Sequence, residues 1–435
     1  MNTVLNPVWR DACQRNRDAI PQLAWLTGLR DSAISLLSLR GLPDSGQEDW
    51  RYTNLADYLQ RGAAALIDLD RAAATPAPDK DSSGQIQVIL DDGRPVAPAA
   101  AALALPAGIQ LHSLRELGPE LRDRATSLLA GKDRADETPA LAALNLALLS
   151  DGWYLRSTPA ESSTAPALHL RLAGSRAGIA QLRLLVDMQP GSRLNLVIEH
   201  QGPAGTLANA VTQIHCGAGA HLDLLRIQDL SADSLLTETT RIELDADAAL
   251  SATSLDFGGQ LVRQDLSVAL SGPGANANIH GAFLVDARRH VDNHTTVEHR
   301  APDTSSREIF HGLAASHGRG VFNGRIIVRP GAVRTASALN SRNLLLDNSA
   351  EIDTKPELEI YTDDVRCSHG ATTGQLDANA LFYLRSRGLS PGEARQALIT
   401  AFLHATLARV VPAQLSAQVA ARLQARLAAL PGAAQ

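Results

Sequence analysis

Between about residue 150 and residue 365 the apolar side chains fall at every second position, in "LHLRL", "LRLLVDM", "LNLVIE", "LDLLRI", "IELD", "LSVAL" and "LEI". Alternation of this kind predicts strands, with one row of side chains facing a core and the other facing out. Small turn clusters separate them, centred on Gly191, Gly219, Asp247, Gly274, Asp303 and Gly331, and recur every 27 to 29 residues. A fixed period in this range is the signature of a stacked repeat, in which each unit buries its apolar face only against its neighbours. The segments between the turns are too short for crossover helices, and a sandwich has no reason to keep so constant a spacing. The pattern therefore predicts a mainly β chain built on a parallel β-helix or related solenoid, with Leu, Val and Ile stacked in inward ladders and caps at its two ends.

The periodicity is helical on either side. Leu23, Trp25, Leu26 and Leu29 are spaced three and four apart, so residues 1–82 read as a helical N-terminal domain closed by the Pro- and Ser-rich "AATPAPDKDSSGQ". Residues 83–150 read as a mixed α/β connecting segment, 151–375 as the solenoid, and 376–435 as a helical C-terminal domain. There Asp377 is placed to cap one helix, Gly388 to end it, and "SPGE" at 390–393 forms a capping box for the next. That second helix carries Ala394, Ala397, Leu398, Ala401 and Phe402 on one face. Two short helices at a sharp turn beyond a rod suit docking.

The chain has 435 residues, 45% of them hydrophobic, and a formal net charge of -6 with no block of Lys or Arg. This is globular and lacks the electrostatic footprint of a nucleic-acid or anionic-lipid binder. The N-terminus has no secretory pattern and the most apolar stretch is broken by prolines, so a cytoplasmic protein outside the membrane is expected. Three scattered cysteines, Cys13, Cys216 and Cys367, make neither a disulfide framework nor a four-ligand metal site. There is no P-loop, no dinucleotide fingerprint and no nucleophile elbow, so no nucleotide is expected on this chain.

"YTDDVRCSHGATTGQLD" (residues 361–377) holds the sharpest candidate. On an extended strand Cys367 and His369 project to one side, and thiolate with imidazole suits iron, zinc or copper(I). Two ligands do not complete a site, and the alternative is a small buried cysteine beside a histidine in the turn into the helix, with Asp363 and Asp364 as ordinary turn residues. Six histidines between His280 and His317 fit no zinc spacing, and a polar row on a solvated face accounts for them. "EDWRYT" (48–53) is expected to pack in a core or anchor an interface. A β-helix carbohydrate enzyme with paired carboxylates and a purely structural homodimer are the competing classes. The 3% aromatic content supplies few sugar platforms for the first.

Several of these stretches together, "EDWRYT", "AALNLALLSDGWYLR", "GRGVFNGRIIV" and "NLLLDNSAEIDTKPELEIYTDDVRCSHGATTGQLDANALFYLRSRGL", resemble the SufB/SufD family of iron–sulfur cluster assembly scaffolds, over about residues 48 to 405. "CSHGAT" stands where SufB-type chains resemble "EHEAT", which puts the likeness on the SufD side. The resemblance implies a right-handed β-helix between helical domains, without catalytic activity of its own, in a complex with a SufB-type paralogue and a SufC-type ATPase. It assigns the ATPase to residues 377–409, with Leu381, Phe382, Arg385, Ala394, Leu398 and Phe402 as docking candidates. It assigns the SufB-type partner to the last strands, with Leu344, Leu346, Ile352, Leu358 and Ile360 as pairing candidates. His369, with Cys367 beside it, would contribute to a transient iron or iron–sulfur cluster at the interface, the remaining ligands coming from the partner. The isolated chain is expected to form a homodimer through its exposed end. Family members often carry a cysteine in the stretch here reading "HRAPDTSS", so no thiol role is expected there.

Overall fold

The computed structural model describes residues 7–18, 21–65, 87–91, 94–95, 105–131, 138–160, 165–173, 179–407 and 413–428. Its centre is the solenoid that the alternation predicts. Successive strands go alternately to two sheets, one of ten and one of nine strands among the described residues, so each coil contributes one rung to each. From Trp153–Ser157 and Ala167–Ala173 onward every rung is parallel and in register, as in Leu207–Cys216, Leu235–Leu244, Leu261–Leu270, His290–His299, Arg319–Val328 and Glu351–Ile360. Three strands from the 83–150 segment extend the sheets at the start: Gln87–Asp91 runs parallel to the rung Ala167–Ala173, Arg94–Pro95 pairs antiparallel with Gln87–Asp91, and Ile109–Ser113 pairs antiparallel with Trp153–Ser157. The boundary expected near residue 82 lies outside the described residues.

The turn clusters form one corner of the coil. Gly191, Gly219, Asp247, Gly274 and Asp303 all have positive φ, between 57° and 75°. Gly and Asp are the residues that tolerate this conformation, Asp because its short side chain bonds locally. Each corner is tied to the next: the N–H of Gly191 donates to the Ala218 carbonyl, Gly219 to Ala246, and Asp247 to Pro273. The period then stretches. Ser305 pairs with Ala336 and Arg319 with Glu351, rungs of 31 and 32 residues, and the stretched corner carries two left-handed residues, Gly331 and Arg334.

Inside, the expected ladders of Leu, Val and Ile run through a continuous core from Ile109 to Leu339. In the later coils three aromatic rings fill it. Phe310 and Phe322 lie 4.4 Å apart between centroids, and Gly281 faces Phe310 so closely that a Cβ there would overlap the ring.

Helices cover the outer faces. The N-terminal group, α1 (Pro7–Asp18), α2 (Thr27–Arg40), α3 (Ala56–Ala65), α4 (Pro119–Ala130) and α5 (Ala140–Ala147), packs on the nine-stranded sheet around Trp9, Leu23, Leu37 and Tyr58. "EDWRYT" anchors this group: the Arg263 guanidinium lies 4.2 Å from the Trp50 ring centroid, and Lys355 pairs with Glu48 at 2.6 Å. At the other end come α6 (Ala378–Ser386), α7 (Pro391–Leu407) and α8 (Ala413–Ala428). Asp377 accepts from the Asn379 N–H, and Ser390 and Glu393 exchange the hydrogen bonds of a capping box. α7 and α8 lie on the ten-stranded sheet, where Ile399, Leu403, Val419 and Leu423 meet Leu225, Leu255 and Leu313.

Candidate functional site

The last rung of the ten-stranded sheet is Arg366–Gly374, paired on one side with Ala336–Leu345 and on its other side with no described strand. Cys367 stands opposite Ser337 and His369 opposite Leu339, so both lie on the face that elsewhere carries the core. Their fates differ because the coil ends here. Cys367 is half-buried against the core; burial pushes its thiol up, and a hydrogen bond from the Ser337 backbone pulls the other way. His369 is exposed at the mouth. Asp364 is the left-handed corner residue, its carbonyl accepting the Arg334 N–H, which is the ordinary turn role.

Beside it the last rung of the nine-stranded sheet, Glu351–Ile360, is likewise an edge. Ile352 and Leu358 are half-buried against the core, and Ile360 and Tyr361 are 43% and 55% exposed. The mouth is thus two unpaired edges around an apolar rim, with a thiol and an imidazole on one lip. Among the described residues no group of three His, Cys, Asp or Glu could hold a metal ion.

The other candidates divide between open and covered positions. Ile352, Leu358 and Ile360 belong to the rim, whereas Leu346 is buried and Leu344 packed beneath the C-terminal helices. On α6 Phe382 is 74% exposed, Leu381 is half-buried and Arg385 is exposed; Tyr383, which sequence reading passed over, stands open beside Phe382 with Arg387 over its ring. On α7 Ala394 is fully buried, Leu398 half-buried, and Phe402 meets the His311 ring edge-on at 4.8 Å. The face of α7 that presses on the solenoid is that of Ala394, Ile399 and Leu403, which leaves Ala397 and Ala401 outside.

The solvated histidine row is corrected by the structure. His280 and His311 lie under the C-terminal helices on the outer face of the ten-stranded sheet. His290 and His294 sit under the N-terminal group, bonded to Thr53 at 2.8 Å and to Asp292 at 3.0 Å. His299 is inside the coil between Thr304 and Ser306, and burial lowers its imidazole to about 4. Only His317, on a corner, is exposed. A strand face that looks polar in sequence can be covered by elements far away in the chain.

The purely apolar interior needs the same correction. Arg226, Glu238 and Asp256 share the inward faces of their strands with Leu224, Leu236 and Ala252. Arg226 bonds Glu238 at 2.7 Å and also holds Asp256, while Nε2 of His200 lies 3.2 Å from Glu238. Burial alone would raise both acids. For Glu238 the Arg226 and His200 charges outweigh it and hold the carboxyl at about 2; for Asp256 burial wins. Glu308 has weaker help: burial raises it to about 7, with only the Thr295 hydroxyl beside it pulling the other way. The signal was present in "SSREIFHGLA", where Glu308 has the parity of Phe310, but only the pairing register says which parity is inward.

Residues 171–402 match the family model described as SUF system FeS cluster assembly, SufBD core domain. The chain is 28% identical over 408 residues to an iron–sulfur cluster assembly SufBD family protein of Synechocystis, covering 90% of this chain and 88% of that one. It is 29% identical over 386 residues to the iron–sulfur cluster assembly protein SufD of Escherichia coli, covering 83% and 84%. A SufBD family protein of Mycobacterium leprae is 32% identical over 228 residues, 51% of this chain and 58% of that one.

Proposed function

Because the chain belongs to the SufBD family of iron–sulfur cluster assembly proteins, we propose that it is a non-catalytic scaffold subunit whose open solenoid end pairs with a SufB-type paralogue in the cytoplasm. The SUF family model covers residues 171–402, most of the solenoid together with α6 and most of α7. Cys367 and His369 contribute ligands to a nascent iron–sulfur cluster, the substrate being assembled, and the paralogue supplies the rest. α6 and the outer side of α7 take a SufC-type ATPase, which brings the nucleotide chemistry this chain lacks.

The observation that carries the reading is the position of Cys367 and His369 on an edge strand at an uncovered coil end. A thiolate and an imidazole are ligands for iron and iron–sulfur clusters. Held as half a set at a joint between two chains, they bind a cluster that is released when the joint opens. The apolar rim of Ile352, Leu358 and Ile360 fits the same joint, since an exposed strand edge with an apolar inner face is a pairing template. The unpaired end also accounts for the homodimer expected of the isolated chain, which would be displaced by the paralogue.

The test is anaerobic reconstitution with SufB-type and SufC-type partners, following cluster absorbance. His369→Ala should still assemble the complex, by size-exclusion chromatography, but lose cluster formation; unchanged cluster yield would remove His369 from the site. Cys367→Ala separates the thiol's contribution in the same assay.

A further inference from the structure

The edge strand Glu351–Ile360 is not neutral towards what could pair with it. Its odd-numbered residues turn their N–H and C=O groups to the preceding rung, since the N–H of Glu351 donates to the Gly318 carbonyl and that of Tyr361 to the Val328 carbonyl. Alternation leaves the peptide groups of Ile352, Thr354, Pro356, Leu358 and Ile360 on the open side. Pro356 has no N–H, so the row of donors is broken at its centre. A proline is tolerated there because this side is an edge, and it blunts pairing with an indiscriminate strand.

The outer side chains carry the selection. They read Glu351, Asp353, Lys355, Glu357 and Glu359, four carboxylates to one cation. The rung behind supplies counter-charge, but it is shared: Arg319 lies 3.4 Å from Glu351 and 3.0 Å from Asp353, and Arg325 lies 2.8 Å from Glu357 and 3.7 Å from Glu359. Lys355 is divided between Glu48 at 2.6 Å and Glu357 at 2.5 Å. With Asp49 beside Arg325, and Arg300 and Arg329 both on Glu298, these ion pairs join seven carboxylates to five cations. The edge keeps negative charge to spare.

A strand added at the ordinary spacing brings its own outward row to about 4.8 Å from these carboxylates, where opposite charges attract and like charges repel. A second copy of this chain offers either the same acidic strand or Arg366–Gly374, whose outward row is Arg366, Ser368, Gly370, Thr372 and Gly374. The first repels, and the second supplies a single cation.

We propose that Glu351–Ile360 takes a strand carrying Lys or Arg at two or more outward positions, and that its acidic row ranks such a partner above a second copy of this chain. This rests on the reading that the open end pairs with a SufB-type chain, and it gives that chain's pairing strand its charge.

The experiment measures both associations of the full chain, by biolayer interferometry against a recombinant SufB-type chain and by sedimentation equilibrium alone, each at low and high NaCl. Salt should weaken the first and strengthen the second, because screening removes attraction in one and repulsion in the other. Glu351→Lys with Glu359→Lys should weaken partner binding about tenfold or more and tighten self-association. Glu351→Gln with Glu359→Gln, which removes the charges without reversing them, should move both in the same directions by less. Asp11→Lys with Glu120→Lys makes the same change of charge at exposed positions of α1 and α4 and should leave both associations as in wild type. No binding of the wild type to the SufB-type chain would overturn the pairing reading and this inference with it. Pairing indifferent to salt and to both edge variants, or an equal loss in the α1 and α4 variant, would overturn this inference alone.

Discussion

The middle coils and the terminal coil are built to one pattern and meet opposite conditions. Around Arg226 and Glu238 the inward row is closed above and below by further rungs, so even a charged side chain is almost wholly out of water. On Arg366–Gly374 and Glu351–Ile360 the same inward row ends in solvent, leaving His369 and Ile360 exposed. In the middle, what matters is whether a buried group finds a partner within the chain. At the end, the same row faces solvent.

The sharpest way to break this comparison is to unbalance the interior. Arg226→Met would strip Glu238 and Asp256 of their counter-charge, and breaking a buried pair from one side costs about 3–5 kcal/mol. Urea unfolding should show that loss; a change under about 1 kcal/mol would mean that water reaches the cluster. Next is Glu308. Its folded carboxyl titrates at about 7, above the ordinary 4.5 of an unfolded glutamate, so the folded state holds the proton more tightly. Stability is then unaffected below about pH 4, falls as pH rises from there to about 7, and stays low above it. Glu308→Gln should remove this slope, gaining about 3 kcal/mol at pH 8 and almost nothing at pH 4, read as melts at the two pH values.

The terminal coil should behave otherwise. Leu358→Asp, half-buried at the rim, should cost about 1–2 kcal/mol in the isolated chain yet prevent its pairing with a SufB-type partner, measured by co-purification. The smallest stability effect belongs to His369→Ala, expected within about 0.5 kcal/mol because the side chain is exposed. The proposed site predicts that its effect falls on cluster formation instead.

Much of this fold is legible in the chain as letters. The corner residues Gly191, Gly219, Asp247, Gly274 and Asp303 announce the coil because few residues accept a positive φ, and Asp377, Ser390 and Glu393 announce their helices because caps must satisfy orphan N–H groups. Cys367 and His369 are legible as a pair from their spacing. The stretching of the last coils was less so, since Arg334 takes a left-handed corner that nothing in its residue type advertises. The histidines misled because His299 and His294 look alike in an alternating strand, and only parity against the core separates the buried one from the covered one.

What the sequence determined by itself is therefore the local and the periodic: strand alternation, turn conformation, helix ends, and the two-residue spacing that puts a thiol and an imidazole on one lip. Those are set by bonds and contacts among residues a few positions apart. Tertiary structure decided which face of each strand became interior, which outer faces the helices covered, and that Arg226 would find Glu238 while Glu308 met only the Thr295 hydroxyl. It also decided that Arg241 and Arg325, 84 positions apart in the chain, would end up on one row. Burial and electrostatic pairing depend on neighbours that arrive from adjacent coils or from the far end of the chain, and no local pattern encodes them.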